Sequence, residues 1–405
     1  MTHQQHQKRQ IYLDNAATTR VLPEVVEAML PWFTEQYGNP SSLYEFGQHA
    51  KAAITDARTR IAAHINARPP DIYFTSCGTE SNNWALKATA EAYADKGKHL
   101  ITSAIEHHAT SHSMEWLEKQ GFEVTWLPVD ADGLISPDTL AAALRPDTTL
   151  VSIILGNNEI GTIQPIAELA AVAREHGALV HTDAVQALAH IPIDVEKFGV
   201  DMLSASAHKF HGPKGAGFLY IRKGVKTRSF LHGGAQERKR RAGTENVPSI
   251  MGMARALDLC MERFDERVAH ELELRDYLIS RVLAEVEHVR LNGHRRLRLP
   301  NNANFSFEFV EGESLLLTLE QKGILASSGS ACASGSLDPS HVLLAIGLPH
   351  EIAHGSLRLS LGEDTTREDI DYTVEAIKDV VERLRQMSPL YEDFIHGKKA
   401  LSAVR

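Results

Sequence analysis

Between residues 71 and 222, short apolar runs alternate with stretches of helical periodicity, and this alternation restricts the possible folds more than any other feature. Runs at 71–75, 100–102, 123–127, 150–154, 179–181 and 202–203 are dominated by aliphatic, aromatic and β-branched residues and read as strands. Residues 81–93 and 166–176 carry apolar positions at helical spacing and read as helices between them. Strands this short and this apolar, joined through helices, are expected in a mostly parallel sheet covered on both faces. The run 215–221 follows its predecessor too closely for a crossover helix, so it is expected as a seventh strand, antiparallel to its neighbour. Upstream, Ile11-Tyr12-Leu13 is a further short strand candidate.

The 405 residues exceed what one core usually serves, so two domains are expected. The division falls into a large α/β domain at 16–260 and a smaller α+β domain made from 1–15 and 261–405. The second region opens with a long helical pattern at 255–287, followed by a strand at 304–307 and helices at 314–321 and 340–345. Asp338-Pro339 offers a cap and a first-turn proline to the last of these. A final helix is expected after the capping box Thr365-Thr366-Arg367-Glu368, with Ile370, Val374, Ile377, Val381 and Leu384 on its apolar face.

Charge and cysteine usage exclude several functional classes. A formal net charge of -10 provides no general attraction for nucleic acid or anionic membranes, and neither is expected as a partner. The cluster Arg238-Lys239-Arg240-Arg241 is short and reads as a solvated or phosphate-facing loop. Three scattered cysteines, Cys77, Cys260 and Cys332, make no disulfide framework and fit a reducing compartment. The polar opening lacks the apolar core of a signal peptide, and no stretch is long and apolar enough to span a bilayer, so a cytoplasmic location is expected.

In an open parallel sheet, ligands bind beyond the carboxyl ends of the strands, and the reactive residues fall there in order. Gly78-Thr79 opens a helix whose free N–H groups suit a phosphate, although a plain helix start is an alternative. His107, Asn158, Asp183 with Gln186, and Ser206-Ala207-His208-Lys209 follow successive strands. A lysine and an aspartate at neighbouring strand ends are the two fixed points that pyridoxal 5'-phosphate needs. The amine bonds the aldehyde, and the acid keeps the pyridine nitrogen protonated so that the ring accepts electrons. His108 and His112 share a helical face, but no recognisable zinc spacing accompanies them and no metal is expected. Cys260 reads as a core residue and Cys77 as packing beside the glycine turn. Cys332 lies among Ser, Gly and Ala from Ser327 to Ser336, where a thiol can travel and ionise. An electron sink with a mobile thiol points to sulfur chemistry on an amino acid.

Together these residues resemble the cysteine desulfurases, class V aminotransferases of pyridoxal-phosphate fold-type I. The resemblance runs from Tyr12-Leu13-Asp14-Asn15-Ala16-Ala17-Thr18-Thr19 to the last helix. It includes Gly38-Asn39-Pro40-Ser41-Ser42, Asn157-Asn158-Glu159-Ile160-Gly161 and Arg240-Arg241-Ala242-Gly243-Thr244-Glu245-Asn246. The segment Ser327-Ser328-Gly329-Ser330-Ala331-Cys332 is similar to the long-loop subgroup, with its nitrogenase-associated and housekeeping iron–sulfur enzymes. The resemblance implies that Lys209 forms the Schiff base, Asp183 pairs with the ring nitrogen and His107 stacks on the ring. It places Gln186 and Asn158 near the phenolic oxygen. It gives Gly78, Thr79, Ser206 and His208 to the phosphate, with Thr244 from the second subunit of a homodimer. Arg358, Asn39 and Asn158 would hold the substrate, L-cysteine, and Cys332 would take its sulfur for a partner such as an iron–sulfur scaffold. A selenocysteine lyase, a class V aminotransferase without a loop thiol, and a non-catalytic sulfur-relay scaffold are the alternatives. Tyr44 and Glu363-Asp364 depart from the family pattern and bear on local substrate or partner contacts.

Overall fold

The computed structural model describes residues 10–328 and 339–397. After β1 (Ile11–Tyr12), seven strands make the main sheet: β2 (Ile72–Thr75), β3 (His99–Ser103), β4 (Glu123–Leu127), β5 (Thr148–Ile154), β6 (Leu179–Asp183), β7 (Met202–Ser206) and β8 (Gly217–Ile221). Their spatial order is β2-β8-β7-β6-β5-β3-β4. Strands β3 to β7 pair in parallel, and β8 runs antiparallel to both β7 and β2. The expected antiparallel seventh strand is therefore present.

Every residue of β2, β3, β5, β7 and β8 is buried, as required when helices cover both faces. On β5, Leu150 joins one core with Trp84, Met114 and Leu219. Its neighbours Val151 and Ile153 join the opposite core with Ile54, Ile61, Leu203 and Leu257. Each fully buried aliphatic of this kind contributes about 1.5–3 kcal/mol of transfer free energy.

The helices that matter to the site are α1 (Glu45–His64), α2 (Gly78–Asn83), α3 (His108–Lys119), α4 (Ile166–Glu175), α5 (Val247–Glu262), α6 (Phe264–Glu285), α7 (Gly312–Gln321), α8 (His341–Ala345) and α9 (Arg367–Gln386). The pattern read as one helix over 255–287 is two, α5 and α6, broken at Arg263 with φ −114° and ψ 22°. The reason is that they serve different cores. Met253, Leu257 and Cys260 pack under the main sheet. Leu274, Leu278 and Val282 pack instead with Phe305, Phe307, Ile370 and Val374. The pattern at 81–93 starts three residues earlier, at Gly78, and passes through a π turn at Trp84–Ala88.

In the second region, β9 (Val289–Asn292), β10 (Asn302–Phe307) and β12 (Ser356–Ser360) form an antiparallel sheet in the order β12-β10-β9. The early strand β1 pairs in parallel with β11 (Ile324–Leu325), which carries the chain start across to this region. Two caps differ from expectation. Thr366, not Thr365, caps α9 and forms the capping box with Asp369. Thr365 Oγ1 instead accepts from Gly362 N–H, which closes the preceding turn. For α8 the cap is Ser340, which accepts from the N–H groups of Val342 and Leu343, while Asp338 lies outside the described residues. Among the described residues no helix is long and apolar enough to cross a membrane.

Candidate active site

Register brings the carboxyl ends of the strands side by side. Asp183, the last residue of β6, lies opposite Ile154 of β5 and Ser204 of β7. Its carboxylate is buried; Oδ1 accepts from Val185 N–H at 2.9 Å and Oδ2 from the Asn82 amide at 2.5 Å. Asn82 lies on α2, and sequence reasoning missed it because a single polar residue in a helix carries no sign of facing inward.

Lys209 ends a single helical turn that directly follows β7. Its Nζ donates to the carbonyls of Ala16 at 2.5 Å and Ala17 at 2.9 Å. Gln186 Nε2 donates to the same Ala16 carbonyl at 2.8 Å, so these two expected site residues meet on one acceptor. The N-terminal segment is clasped there by Thr19, whose N–H donates to His208 O at 2.9 Å and whose Oγ1 accepts from His211 N–H at 2.7 Å.

The turn into α2 forms a cradle. Cys77 is the N-cap and supplies no side-chain cap, so the first N–H groups of the helix point outward unmet by that residue. A Cβ on Gly78 would lie 2.6 Å from Val185 Cγ2, so only glycine lets the turn close against Val185, with Ser206 Cβ 3.5 Å away. Ser206 Oγ is buried and has no hydrogen-bond partner among the described residues. Thr79 is exposed on the first turn. Glu80 receives both Nε and Nη2 of Arg241, at 2.7 and 3.0 Å, which ties the end of the basic cluster to α2. His208 Nδ1 faces Thr18 Oγ1 at 3.2 Å, and burial with Lys209 and Lys214 nearby brings the imidazole down to about 4.

His107 caps α3, its Nδ1 accepting from Ala109 N–H at 3.0 Å. Burial lowers its pKa, and the charge of Lys209 acts in the same direction against the opposing pull of Asp183. The ring is therefore neutral near pH 7 with its proton on Nε2. Across the edge, Arg358 of β12 donates from Nη1 to Asn158 O at 2.8 Å and from Nη2 to Asp14 Oδ1 at 2.9 Å. Arg358 Nε and Asn158 Oδ1 are both buried and unpartnered among the described residues. Asn39 and Thr244 are exposed, and among the described residues neither bonds to the groups on the sheet edge.

Cys332 lies outside the described residues, but both flanks of its segment are tied to this site. Ser327 exchanges backbone hydrogen bonds with Arg358, at 2.7 and 3.3 Å. Ser340 Oγ donates to Glu159 Oε2 at 2.5 Å, next to Asn158. Burial pushes the Glu159 carboxyl up to about 7, opposed by Ser340 and Arg358. The Cys260 thiol is core-like as read, pushed up to about 12 by burial, and Cys77 is only half-buried. His108 stacks on His112 at 4.8 Å and lies 5.0 Å from His341. Among the described residues no group of three or more His, Cys, Asp or Glu is placed to hold a metal.

The buried unpartnered Ser206 hydroxyl, the glycine cradle, Lys209 and the buried Asp183 fit pyridoxal phosphate at its phosphate, aldehyde and ring nitrogen. This combination defines a pyridoxal-phosphate enzyme of fold-type I, and residues 11–373 match the family model described as aminotransferase class-V. A cysteine desulfurase IscS from Methanosarcina thermophila is 58% identical over 384 residues, 95% of each chain. A second, from Dictyoglomus turgidum, is 53% identical over 97% of this chain and 100% of its own. A solved NifS-like protein superposes with a TM-score of 0.87 at 40% identity, covering 92% of this chain and 100% of the other. The chain belongs to the class V aminotransferases and, within them, to the cysteine desulfurase family.

Proposed function

We propose that the chain converts L-cysteine to L-alanine and carries the removed sulfur as a persulfide on Cys332, for delivery to an acceptor of iron–sulfur assembly. The carrying observation is the placement of Lys209 in the turn after β7 and of the buried Asp183 at the end of the adjacent β6, with Arg358 bonded to the Asn158 carbonyl beyond β5. When bound, pyridoxal phosphate supplies an electron sink for the substrate Cα. Asp183 holds a negative charge at the ring nitrogen, kept in place by Asn82 and Val185. Lys209 is the base: its Nζ takes the Cα proton once the amine is released. Arg358 binds the substrate carboxylate through its guanidinium, with Asn39 and Asn158 beside it. The Cys332 thiolate then attacks the substrate sulfur. The S–S bond forms as the C–S bond breaks, its electron pair goes to Cβ, and protonation of Cβ with return of the Cα proton from Lys209 Nζ gives alanine. Neutral His107, with its proton on Nε2, covers the ring and can pass that proton.

In this reading residues 16–260 form the cofactor domain, and 1–15 with 261–405 form the domain that brings Arg358 and Cys332 to it. Thr244, exposed on the single chain, reaches the phosphate of a second subunit in a cytoplasmic homodimer. The Ser-Ser-Gly-Ser-Ala-Cys segment supports the long-loop subgroup, with its nitrogenase-associated and housekeeping members.

The test is direct. Given cysteine without reductant, the enzyme should form alanine and carry one additional sulfur on the peptide containing Cys332. Cys332→Ser should bind cofactor and cysteine but release neither product, and Lys209→Ala should lose the visible absorbance of lysine-bound cofactor. A persulfide on Cys77, or full sulfide release by the Cys332 variant, defeats the proposal.

A further inference from the structure

Glu106 stands between β3 and α3, one residue before His107, and is 1% exposed. Its Oε1 accepts from Ser103 Oγ at 2.5 Å and from Ile154 N–H at 2.9 Å. Ile154 is the residue opposite Asp183 in the β5–β6 register, and the charge of Asp183 acts on the Glu106 carboxyl. The Glu106 carbonyl accepts from His341 Nε2 at 2.9 Å, which joins the same turn to α8. Among the described residues Oε2 has no hydrogen-bond partner, and no cation lies within ion-pairing distance of the carboxyl. A bare charged oxygen buried in that way costs far more than a neutral hydroxyl lacking an acceptor.

We propose that Glu106 is a positioning residue for the reaction, held as a neutral carboxyl so that it fixes His107 without adding a second negative charge beside Asp183. Its catalytic part rests on the desulfurase reading; its protonation does not. Burial, reinforced by Asp183, pushes the group up to about 8, against the hydrogen bonds from Ser103 and Ile154. The charged or titratable groups beside it are Asp183 on β6, His107 and His108 on its own turn, and His341 on α8, which bonds to its carbonyl. His107, His108 and His341 are all lowered chiefly by burial, so they are neutral where Glu106 titrates and cannot hold its anion.

The sign of the stability effect follows. The folded enzyme keeps a proton on Glu106 that the unfolded chain loses above its ordinary carboxyl pKa. Stability from this group therefore falls as pH rises from about 4.5 to 8. Denaturation of wild-type holoenzyme and Glu106→Gln across that range should show the ratio of their unfolding constants moving in favour of Gln by roughly tenfold or more. A ratio independent of pH overturns the neutral carboxyl, whatever reaction the enzyme catalyses. Glu106→Ala should lower kcat more than it changes KM, and Gln should restore most of the loss, because it can accept the same two hydrogen bonds. The alkaline limb of the kcat profile should lose one ionisation in Glu106→Gln. If Gln is as impaired as Ala while still binding cofactor, the carboxyl works as an anion and the positioning role is wrong.

Discussion

Asp183 illustrates how a candidate site residue is held by groups that take no part in the proposed chemistry. Both carboxylate oxygens accept a hydrogen bond, from Val185 and Asn82, within a buried strand end. Removing the anion with Asp183→Ala should lower alanine formation by on the order of a thousandfold or more, since several kcal/mol of charge stabilisation is lost. Asn82→Ala leaves the anion but removes one donor, and about tenfold is the expected loss for a hydrogen bond to a charged group. Steady-state kinetics on the two variants checks the order. Equal losses would mean that Asn82 does more than orient Asp183.

Elements place these residues, and two of them depend on single side chains. The first turn of α2 packs against the segment after β6 only because residue 78 has no Cβ, with Val185 Cγ2 at 2.6 Å from where one would stand. Gly78→Ala should weaken cofactor retention, and Val185→Ala in the same chain should recover part of it. Cofactor dissociation followed by absorbance reads both. If the double variant loses cofactor as fast as the single one, the cradle is not set by this contact. At α9, Thr366→Ala should destabilise the chain by about 1 kcal/mol through loss of the cap, measured by denaturation. Thr365→Ala should not break that capping box, because Thr365 closes the turn at Gly362 instead.

Across the whole molecule, the sheet interior is stitched by polar groups that titrate. His181 on β6 is fully buried, with Nδ1 and Nε2 facing Ser152 on β5 at 2.8 Å and Ser204 on β7 at 2.9 Å. Burial brings it down to about 3. The unfolded chain thus takes up a proton below the usual imidazole pKa of about 6.5 that the folded protein refuses, so stability falls as pH drops from there towards 3. Denaturation at pH values between those limits should show a shallower decline for His181→Asn than for the wild type. An identical slope would mean that His181 is charged inside the sheet.

The sequence by itself determined the layered sheet and the order of reactive residues along its edge. Both are local: strand and helix periods are written in neighbouring residues, and chain order fixes which strand each loop follows. That is why Lys209, Asp183, Gly78 and His107 could be read from their positions after apolar runs. What surrounds them was decided only by the tertiary structure. The Ala16 carbonyl meets Lys209 from 193 residues away, Asn82 meets Asp183 from 101, and Arg358 meets Asn158 from 200. A backbone carbonyl has no side-chain signature, and a lone Asn or Glu in a helical or turn pattern does not show whether it faces water. The break at Arg263 and the shift of the cap from Thr365 to Thr366 belong to the same class. Helical periodicity runs through both sites, and only the direction of the next core settles where each helix stops or starts.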